Sequence, residues 1–244
     1  SQINNNAALD HGGGIAAFFY SQGNVYSSLL ISGSTINNNS SGDLGGGVYW
    51  NSGQFSINNS QVSFNSASQG GGLFISDYSY NPIFQFVEVS NNTSETVGGG
   101  IYLSKNDGAS STPIIFNSTI VNNSCAILGS GILSINQSNP VIQNSILRDN
   151  LAADGVQIHL QGESEVFVTY SNVAGAESGI VGFDDIIYQN NIDVDPLFTD
   201  SDNYDYSLQV TSPCIDSGNP NSPNDPDGTI ADMGAYYFHQ EFGC

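Results

Sequence analysis

The chain has 244 residues and a formal net charge of −21, because 23 acidic side chains stand against two basic ones, Lys105 and Arg148. Nucleic-acid binding depends on clustered lysine and arginine, so this composition argues strongly against nucleic-acid partners. No apolar run approaches the roughly 18 residues that a membrane-spanning helix needs, and we expect no membrane insertion by this segment. The chain starts at Ser1 without a hydrophobic leader, which favours a mature or trimmed product.

One short phrase recurs along the chain: an asparagine, a spacer, a cluster of glycines and then an apolar run. Its six copies begin at Asn6, Asn39, Asn65, Asn92, Asn123 and Asn150. The spacing between copies is unequal while the phrase is constant, which indicates a solenoid with a constant rung and turns of variable length. The phrase weakens in the fifth copy and fades in the sixth.

Short apolar runs on both sides of each phrase have the composition of β-strands. Residues 29–31 (LLI) and 114–116 (IIF) are typical, being β-branched or aromatic and bounded by Gly, Asn and Ser. Helix-period patterns are absent. We therefore predict an all-β fold: a right-handed parallel β-helix of about seven rungs over residues 1–183, closed by an acidic C-terminal capping segment over residues 184–244.

In such a coil the asparagines and glycines have a structural role. An Asn at a turn tolerates the left-handed backbone conformation, and stacked Asn side chains can bond to each other as a ladder. Glycines permit positive φ and a close approach of neighbouring backbones at a tight corner. We therefore interpret the phrase as architectural rather than as a functional motif.

Several of these motifs resemble known repeat families. Residues 62–67 (VSFNSA), 70–74 (GGGLF) and 98–102 (GGGIY) resemble the Phe-x-x-Asn and Gly-Gly-Ala-Ile repeats of polymorphic outer-membrane adhesins. More broadly, residues 1–180 are similar to the pectate-lyase-like superfamily of right-handed parallel β-helices. In the C-terminal third, phrases such as residues 195–198 (DPLF) resemble the closing segment of secreted bacterial β-helix-repeat proteins. The resemblance implies an extracellular or cell-surface location, within a superfamily that includes enzymes, adhesins and structural proteins.

Catalysis has little support in the sequence. Pectate-lyase-type elimination needs a cationic base, and the two cations, Lys105 and Arg148, lie far apart in the chain. Glycoside hydrolysis needs two carboxylates at a defined separation, for which Asp184 and Asp185 are weak candidates, with His159 as a third. The Gly-His-Gly and Arg-x-Lys signatures of the polygalacturonase relatives are absent. We therefore lean towards a protein that is not an enzyme and that, if it is one, acts on carbohydrate.

Three aromatic residues occupy equivalent positions in successive rungs: Tyr49, Phe74 and Tyr102, each two residues after the last glycine of its cluster. Strand alternation turns their neighbours into the core and these rings outwards. Rings stacked at the ~4.8 Å spacing of neighbouring strands form either a ladder that satisfies itself or an exposed face that binds a ligand. We take this face as a candidate contact site for polysaccharide or a surface protein.

Acidic residues and cysteines mark the C-terminal third. Asp225, Asp227 and Asp232 bring oxygen ligands together near a glycine-containing turn, which favours a bound calcium ion. The alternative is ordinary hydrogen bonding of Asp side chains within turns. Cys214 and Cys244 can close a loop as a disulfide, and unpaired thiols are the alternative.

These observations lead to two hypotheses for function. The leading one is a secreted or cell-surface, non-enzymatic β-helix that acts as an adhesin, a stalk or a filament subunit, with self-association through its open sheet ends. The alternative is a β-helix protein that binds or degrades polysaccharide.

Overall fold

The computed structural model describes residues 1–18, 28–79, 81–105, 111–182 and 185–241. In chain order its strands are β1 (Gln2–Asn4), β2 (Ala7–Ala8), β3 (Ile15–Ala17), β4 (Ser28–Ser32), β5 (Thr35–Asn37), β6 (Ser40–Ser41), β7 (Val48–Ser63), β8 (Ser66–Gln69), β9 (Leu73–Ser79), β10 (Ile83–Ser90), β11 (Thr93–Val97), β12 (Ile101–Ser104), β13 (Ile114–Phe116), β14 (Thr119–Val121), β15 (Ser124–Cys125), β16 (Ile132–Ile135), β17 (Val141–Gln143), β18 (Ile146–Arg148), β19 (Ile158–Gln161), β20 (Val166–Thr169), β21 (Asn172–Val173), β22 (Ile180–Val181), β23 (Ile186–Gln189), β24 (Phe198–Asp200) and β25 (Asp205–Leu208). Two short 3₁₀ helices follow β21 and β24, at Ala176–Gly179 and Ser201–Asn203. Within the described residues, no helix has the length and apolar character needed to span a bilayer.

The strands form a parallel β-helix, which confirms the predicted fold class. Each complete turn has three faces, and equivalent strands of successive turns pair in parallel. The first face has two halves, stacked as β1-β5-β7-β10-β14-β18-β21 and β4-β7-β10-β13-β17-β20-β23. The second face stacks β2-β6-β8-β11-β15, and the third stacks β3-β7-β9-β12-β16-β19-β22.

The coil has about five complete turns rather than the predicted seven. The second face holds five strands, and only the turns that contribute one of them have all three faces. Beyond β15 that face is reduced to a single bridge between Ser124 and Leu151, and then to the first 3₁₀ helix. The shortfall follows the sequence, because the glycine phrase that shapes the corner fades after Asn150.

The core fills the inside of the coil along its whole length. Alternate residues of each strand point inwards, so equivalent apolar residues stack from turn to turn. Val48, Leu73, Ile101, Ile132 and Ile158 form one such column and are fully buried. Burying each of these side chains contributes roughly 1.5–3 kcal/mol, which makes the column a main source of stability.

The predicted asparagine ladder is present, and Asn92 shows its geometry. The Nδ2 of Asn92 donates to Oδ1 of Asn123 and to the carbonyl of Val62, both at 2.9 Å. The Oδ1 of Asn92 accepts from the backbone N–H and Nδ2 of Asn65, at 3.0 and 2.9 Å. Side-chain bonds of this kind join, in order, Asn6, Asn39, Asn65, Asn92, Asn123 and Asn150.

At each corner the ladder asparagine and the residue with left-handed backbone are different residues. The left-handed conformation falls on the residue before the ladder asparagine, as in Asn38 (φ 54°), Phe64 (φ 56°) and Asn91 (φ 55°). In each cluster the first glycine has positive φ. The second glycine of each cluster is needed because the backbone of the next turn approaches it closely. A Cβ on Gly99, for example, would lie 2.6 Å from two backbone carbonyl oxygens of the next turn. The phrase is therefore architectural, as predicted.

A second ladder, of serines, was not expected from the sequence. The backbone N–H of Ser118 donates to Oγ of Ser145 at 3.2 Å, and that of Ser145 to Oγ of Ser171 at 3.1 Å. The Ser145 hydroxyl in turn donates to the carbonyl of Gln143 at 2.9 Å. Serine therefore bridges the bend between the two halves of the first face, where the strand ladder is interrupted.

The acidic C-terminal segment lies along the side of the coil rather than over its end. We call residues 190–241 the strap. Its Asp232 carbonyl accepts a hydrogen bond from Asn117 at 3.1 Å, and its Ala235 N–H donates to Oγ1 of Thr119 at 3.0 Å. A separate apolar cluster, formed by Ile146, Leu208, Cys214 and Met233, holds the strap against the first face. The strap thus forms a wall beside the bend of the coil.

Candidate functional site

The three aromatic residues of the repeats form a stack that is covered, not exposed. They point away from the core, as strand alternation predicted, and their ring centroids lie 5.7 Å apart from Tyr49 to Phe74 and 4.2 Å apart from Phe74 to Tyr102. Their exposed fractions are only 4, 6 and 8%. Leu133 continues the stack, and the ring of His11 covers Tyr49 at 4.6 Å. The exposed face expected from the sequence is therefore not found, and the stack is a second apolar core.

His159 lies at the far end of this aromatic stack and is tied to the fold. It pairs in register with Leu133, and its Nδ1 lies 2.8 Å from Oδ2 of Asp154. Asp154 also accepts the backbone N–H of Gly129 at 3.2 Å, so the carboxylate organises the weakened fifth corner. His159 is buried, and its position fits a structural contact.

The weak carboxylate candidates do not form a common site with this histidine. Asp185 is exposed and precedes β23 on the first face, whereas His159 lies in β19 on the third face. Asp185 lines a shallow depression with Glu165 and Phe167. Asp184 lies outside the described residues, so the predicted pair is untested.

The predicted calcium ligands act as hydrogen-bond acceptors for the strap backbone. Asp232 accepts the N–H of Asp216 at 2.7 Å and of Phe238 at 2.6 Å, and Asp225 accepts the N–H of Asp232 at 2.8 Å. Asp227 accepts the N–H of Gln240 at 2.8 Å. Among the residues that the structure describes, no group of three or more His, Cys, Asp or Glu side chains is arranged to hold a metal ion. Calcium binding remains a prediction.

The pKa values of these three carboxyl groups shift in different directions. Burial raises the pKa of Asp232 to about 6 and also raises that of Asp225. The pKa of Asp227 is lowered, chiefly by the backbone N–H of Gln240. Asp225 and Asp232 therefore form a buried acidic pair within the strap, both with raised pKa values.

Cys125 and Cys214 are buried, and neither forms a disulfide within the described residues. The Sγ of Cys214 accepts a hydrogen bond from Nδ2 of Asn172 at 3.3 Å, and burial raises the pKa of this thiol. Cys244 lies outside the described residues, so its pairing with Cys214 remains a prediction. Cys125 is also free, in β15.

A groove of about 580 Å³ lies between the strap and the bend of the coil. Coil residues on one side and strap residues on the other line it: Gly33, Ser34, Thr35, Asn59, Ser60, Gln61, Phe86, Pro226, Ala235, Tyr236 and Tyr237. Tyr236 and Tyr237 are 40 and 43% exposed as whole residues. The groove thus combines exposed aromatic faces with amide and hydroxyl groups.

A second depression continues this groove on the other side of Gln61 and Tyr236. It adds the half-exposed ring of Tyr204, which packs edge-on against Phe64 with ring centroids 4.8 Å apart. Asp205 also lines it. The two depressions share Gln61 and Tyr236, so together they form one surface along the side of the coil.

Glu88 fixes the wall between the two depressions. Its Oε2 accepts the hydroxyl of Tyr236 at 2.6 Å, and its Oε1 accepts from Gln61 at 2.8 Å and Ser90 at 2.5 Å. Burial, followed by the neighbouring Glu88, raises the pKa of Tyr236. Glu88 lines the second depression, but it is buried and its carboxylate accepts from three protein donors, so it positions the tyrosine and the glutamine.

Comparison of the chain with protein-family models, with curated proteins and with solved structures finds no match. The parallel β-helix is shown by the structure itself. The sequence resemblance to adhesin repeats and to the pectate-lyase-like superfamily receives no further support.

The groove was missed in the sequence, although one signal was available. The adjacent aromatic residues Tyr236, Tyr237 and Phe238 follow the acidic phrase outside any repeat, where strand alternation does not bury them in a shared core. The coil residues beside them, such as Gln61 and Glu88, follow no recognisable pattern in the sequence. These coil and strap residues meet only because the strap lies along the side of the coil.

Proposed function

We propose that this chain is a non-enzymatic, secreted or cell-surface β-helix that binds an extended neutral polysaccharide along the groove beside its strap. The observation that carries this proposal is the exposure of Tyr236 and Tyr237 beside uncharged polar side chains of the coil. Aromatic rings offer apolar faces to the C–H surfaces of sugars, while amides and hydroxyls bond to sugar hydroxyls. A binding role of this kind is that of an adhesin.

The charge distribution supports a neutral ligand. No lysine or arginine lines the groove among the described residues, and Glu88 and Asp205 add negative charge to its continuation. The whole chain carries a net charge of −21. A uronate polymer would meet repulsion with no cation to offset it, whereas a neutral glycan would not.

The positions of the acidic groups support binding without catalysis. Hydrolysis needs a carboxylic acid and a second carboxylate that both face the substrate. Glu88 is turned into the wall by three donors, and Asp205 accepts the N–H and hydroxyl of Ser207 at 3.0 and 2.6 Å. Neither is available as a free acid or base in the groove.

The test is a binding panel with matched variants. Neutral glucan, xylan and mannan are compared with polygalacturonate by affinity electrophoresis or calorimetry. We expect binding of at least one neutral polymer, weakened tenfold or more, or about 1.4 kcal/mol, by Tyr237→Ala. Leu151→Ala is the control, since Leu151 is also a large exposed apolar side chain, at 71% against 43% for Tyr237, but does not line the groove.

Two results would contradict the proposal. One is tight binding of polygalacturonate alone. The other is release of sugar products from any polymer, which would favour the degrading enzyme that the sequence left as an alternative.

A further inference from the structure

The bend between the two halves of the first face is formed by one residue in each turn. Asn58 pairs with Gln85 and Gln85 with Phe116, so the residues that follow them lie in one column along the coil. All seven members of this column have left-handed backbone, with φ from 44 to 56°: Gly33, Asn59, Phe86, Asn117, Asn144, Tyr170 and Asn190. The bend therefore requires the same unusual backbone conformation in every turn.

Two members of this column do not suit that conformation. Five of the seven are glycine or asparagine, the residue types that enter the left-handed region most readily. Phe86 and Tyr170 are the exceptions, and a bulky side chain in this region strains the backbone. Strain of this kind collects at ligand-binding sites, because there the side chain is needed for something other than the fold.

The third turn departs from the bend pattern at the next position as well. In five turns the bend residue is followed by serine, at 33–34, 59–60, 117–118, 144–145 and 170–171. In the third turn Phe86 is followed by Val87, which is fully buried. This turn therefore contributes no hydroxyl group to the serine ladder, and the polar bend is replaced there by two apolar residues.

Phe64 shows what a purely structural reason for such an exception looks like. It lies at the corner between the first and second faces with φ 56°, where the next two turns have Asn91 and Asn122. The ring of Phe64 packs edge-on against Tyr204 of the strap, with centroids 4.8 Å apart. Asn91 and Asn122 each donate to the hydroxyl of Tyr206 at 3.0 Å. This corner thus anchors the strap.

Phe86 instead lines the groove. It is half-buried on the coil side, and Tyr236 and Tyr237 line the strap side. Phe86 lies in β10 two residues before Glu88, whose Oε2 accepts the hydroxyl of Tyr236 at 2.6 Å. One strand therefore supplies an aromatic ring to the coil side of the groove and holds the hydroxyl of an aromatic ring on the strap side.

We propose that Phe86 binds sugar directly, and that a pyranose ring of the polysaccharide lies between Phe86 and the tyrosines of the strap. This inference rests on the proposed function and names the ligand class more narrowly. A sugar between aromatic rings must present C–H surfaces on both faces. The rings of β-linked glucan and xylan do so because their hydroxyls are equatorial, whereas each ring of mannan carries an axial hydroxyl. The groove therefore selects glucan or xylan over mannan.

The test measures affinity and stability in the same variant. Phe86→Asn places at the bend the residue that four other turns carry there. We expect its Tm to be unchanged or to rise by up to about 4 °C, because the backbone strain is relieved. Calorimetry with soluble β-linked glucan and xylan should show affinity that is tenfold or more weaker. A residue that served packing alone would give the opposite pair of results, a lower Tm and unchanged affinity.

Tyr170→Asn is the matched control, since it makes an equivalent change in the same column but at a residue that does not line the groove. It should relieve the same strain and leave the affinity unchanged. Phe86→Tyr keeps an aromatic ring and should bind as the unaltered chain does.

Three results would overturn the proposal while leaving the proposed function standing. They are unchanged affinity of Phe86→Asn for glucan and xylan, a fall in its Tm of more than about 4 °C, and binding of mannan as tight as that of the other two polymers. If the unaltered chain bound none of the neutral polymers, the proposed function and this inference would both fail.

Discussion

The repeat coil and the strap hold their aromatic residues in opposite ways. In the coil, Tyr49, Phe74 and Tyr102 recur at one position of the repeat and bury one another in a continuous stack. In the strap, Tyr236 and Tyr237 lie outside any repeat and keep about two fifths of their surface exposed. Periodic side chains in a solenoid meet their own equivalents, whereas non-periodic side chains meet whatever the strap leaves beside them.

The same contrast holds for polar groups. The neutral coil is joined by ladders in which each asparagine donates and accepts identically in successive turns. The acidic strap has no ladder, and its buried carboxylates each accept different backbone N–H groups. Stability therefore comes from repetition in the coil and from single, pH-sensitive contacts in the strap, which leaves the strap as the region free to specialise.

Replacing one aromatic ring in each region should give the largest difference in the free energy of unfolding. Phe74→Ala removes the centre of the stack, and we expect a loss of about 3–5 kcal/mol in the free energy of unfolding. Tyr237→Ala is the matched change in the strap, with an expected effect within about 0.5 kcal/mol. Urea denaturation measures both. Similar losses for the two variants would show that the regions do not differ in this way.

The ladder has its own paired test. Asn92→Ala removes two donors and leaves the N–H and Nδ2 of Asn65 without their acceptor, in a buried site. We expect it to cost about 3 kcal/mol. Asn6→Ala, in the first of the six copies, leaves no described asparagine without an acceptor and should cost about 1 kcal/mol. Thermal unfolding measures both losses of stability. Equal losses for the two variants would contradict the prediction that an asparagine inside the ladder contributes more than one in its first copy.

The strap should respond to pH because of Asp232. Its pKa is raised to about 6 in the folded protein from 3.8, so the folded state favours the protonated form. The stabilisation is fully present below about pH 4 and is lost as pH rises through about 6. After allowance for solvent screening we expect a change of about 1–2 kcal/mol. Protection factors of the Gly234 and Ala235 amides, which bond to the coil, measure it.

A charge-neutralising variant isolates this effect. Burial is the main cause of the raised Asp232 pKa, and the charge of neighbouring Asp225 adds to it. Asp225→Asn should therefore lower that pKa in part and shift the pH dependence of the strap to lower pH, while the Asp232 N–H keeps an amide oxygen as acceptor. A pH profile that shifts to higher pH in this variant would assign the dependence to other groups.

Much of the coil could be predicted from the sequence because each of its features is repeated. The Asn-to-glycine phrase indicated the fold, the ladder and the close corners. The alternation around Phe74 indicated which way its ring points. The exposure of that ring was misjudged because alternation does not reveal the outer cover, which comes from side chains such as Leu44 and Val97.

The strap and its groove could not be predicted in this way. Contacts such as that of Asn117 with Asp232 join residues far apart in sequence and occur once, so no pattern marks them. The acidic phrase around Asp225 and Asp232 suggested a metal site, which stays a prediction, but it gave no sign of the backbone N–H donors that these carboxylates accept. Those donors become visible only when the strap is folded against the coil.

The claim that the groove binds a neutral polysaccharide is tested most directly by watching the aromatic rings during a titration. An oligosaccharide of the best-binding neutral polymer is added while the ring resonances of the tyrosines and Phe74 are followed by NMR. We predict saturable shifts for Tyr236 and Tyr237, with the rings of Tyr49, Phe74 and Tyr102 unchanged. Shifts confined to the buried stack, or no shift in either group, would contradict the account.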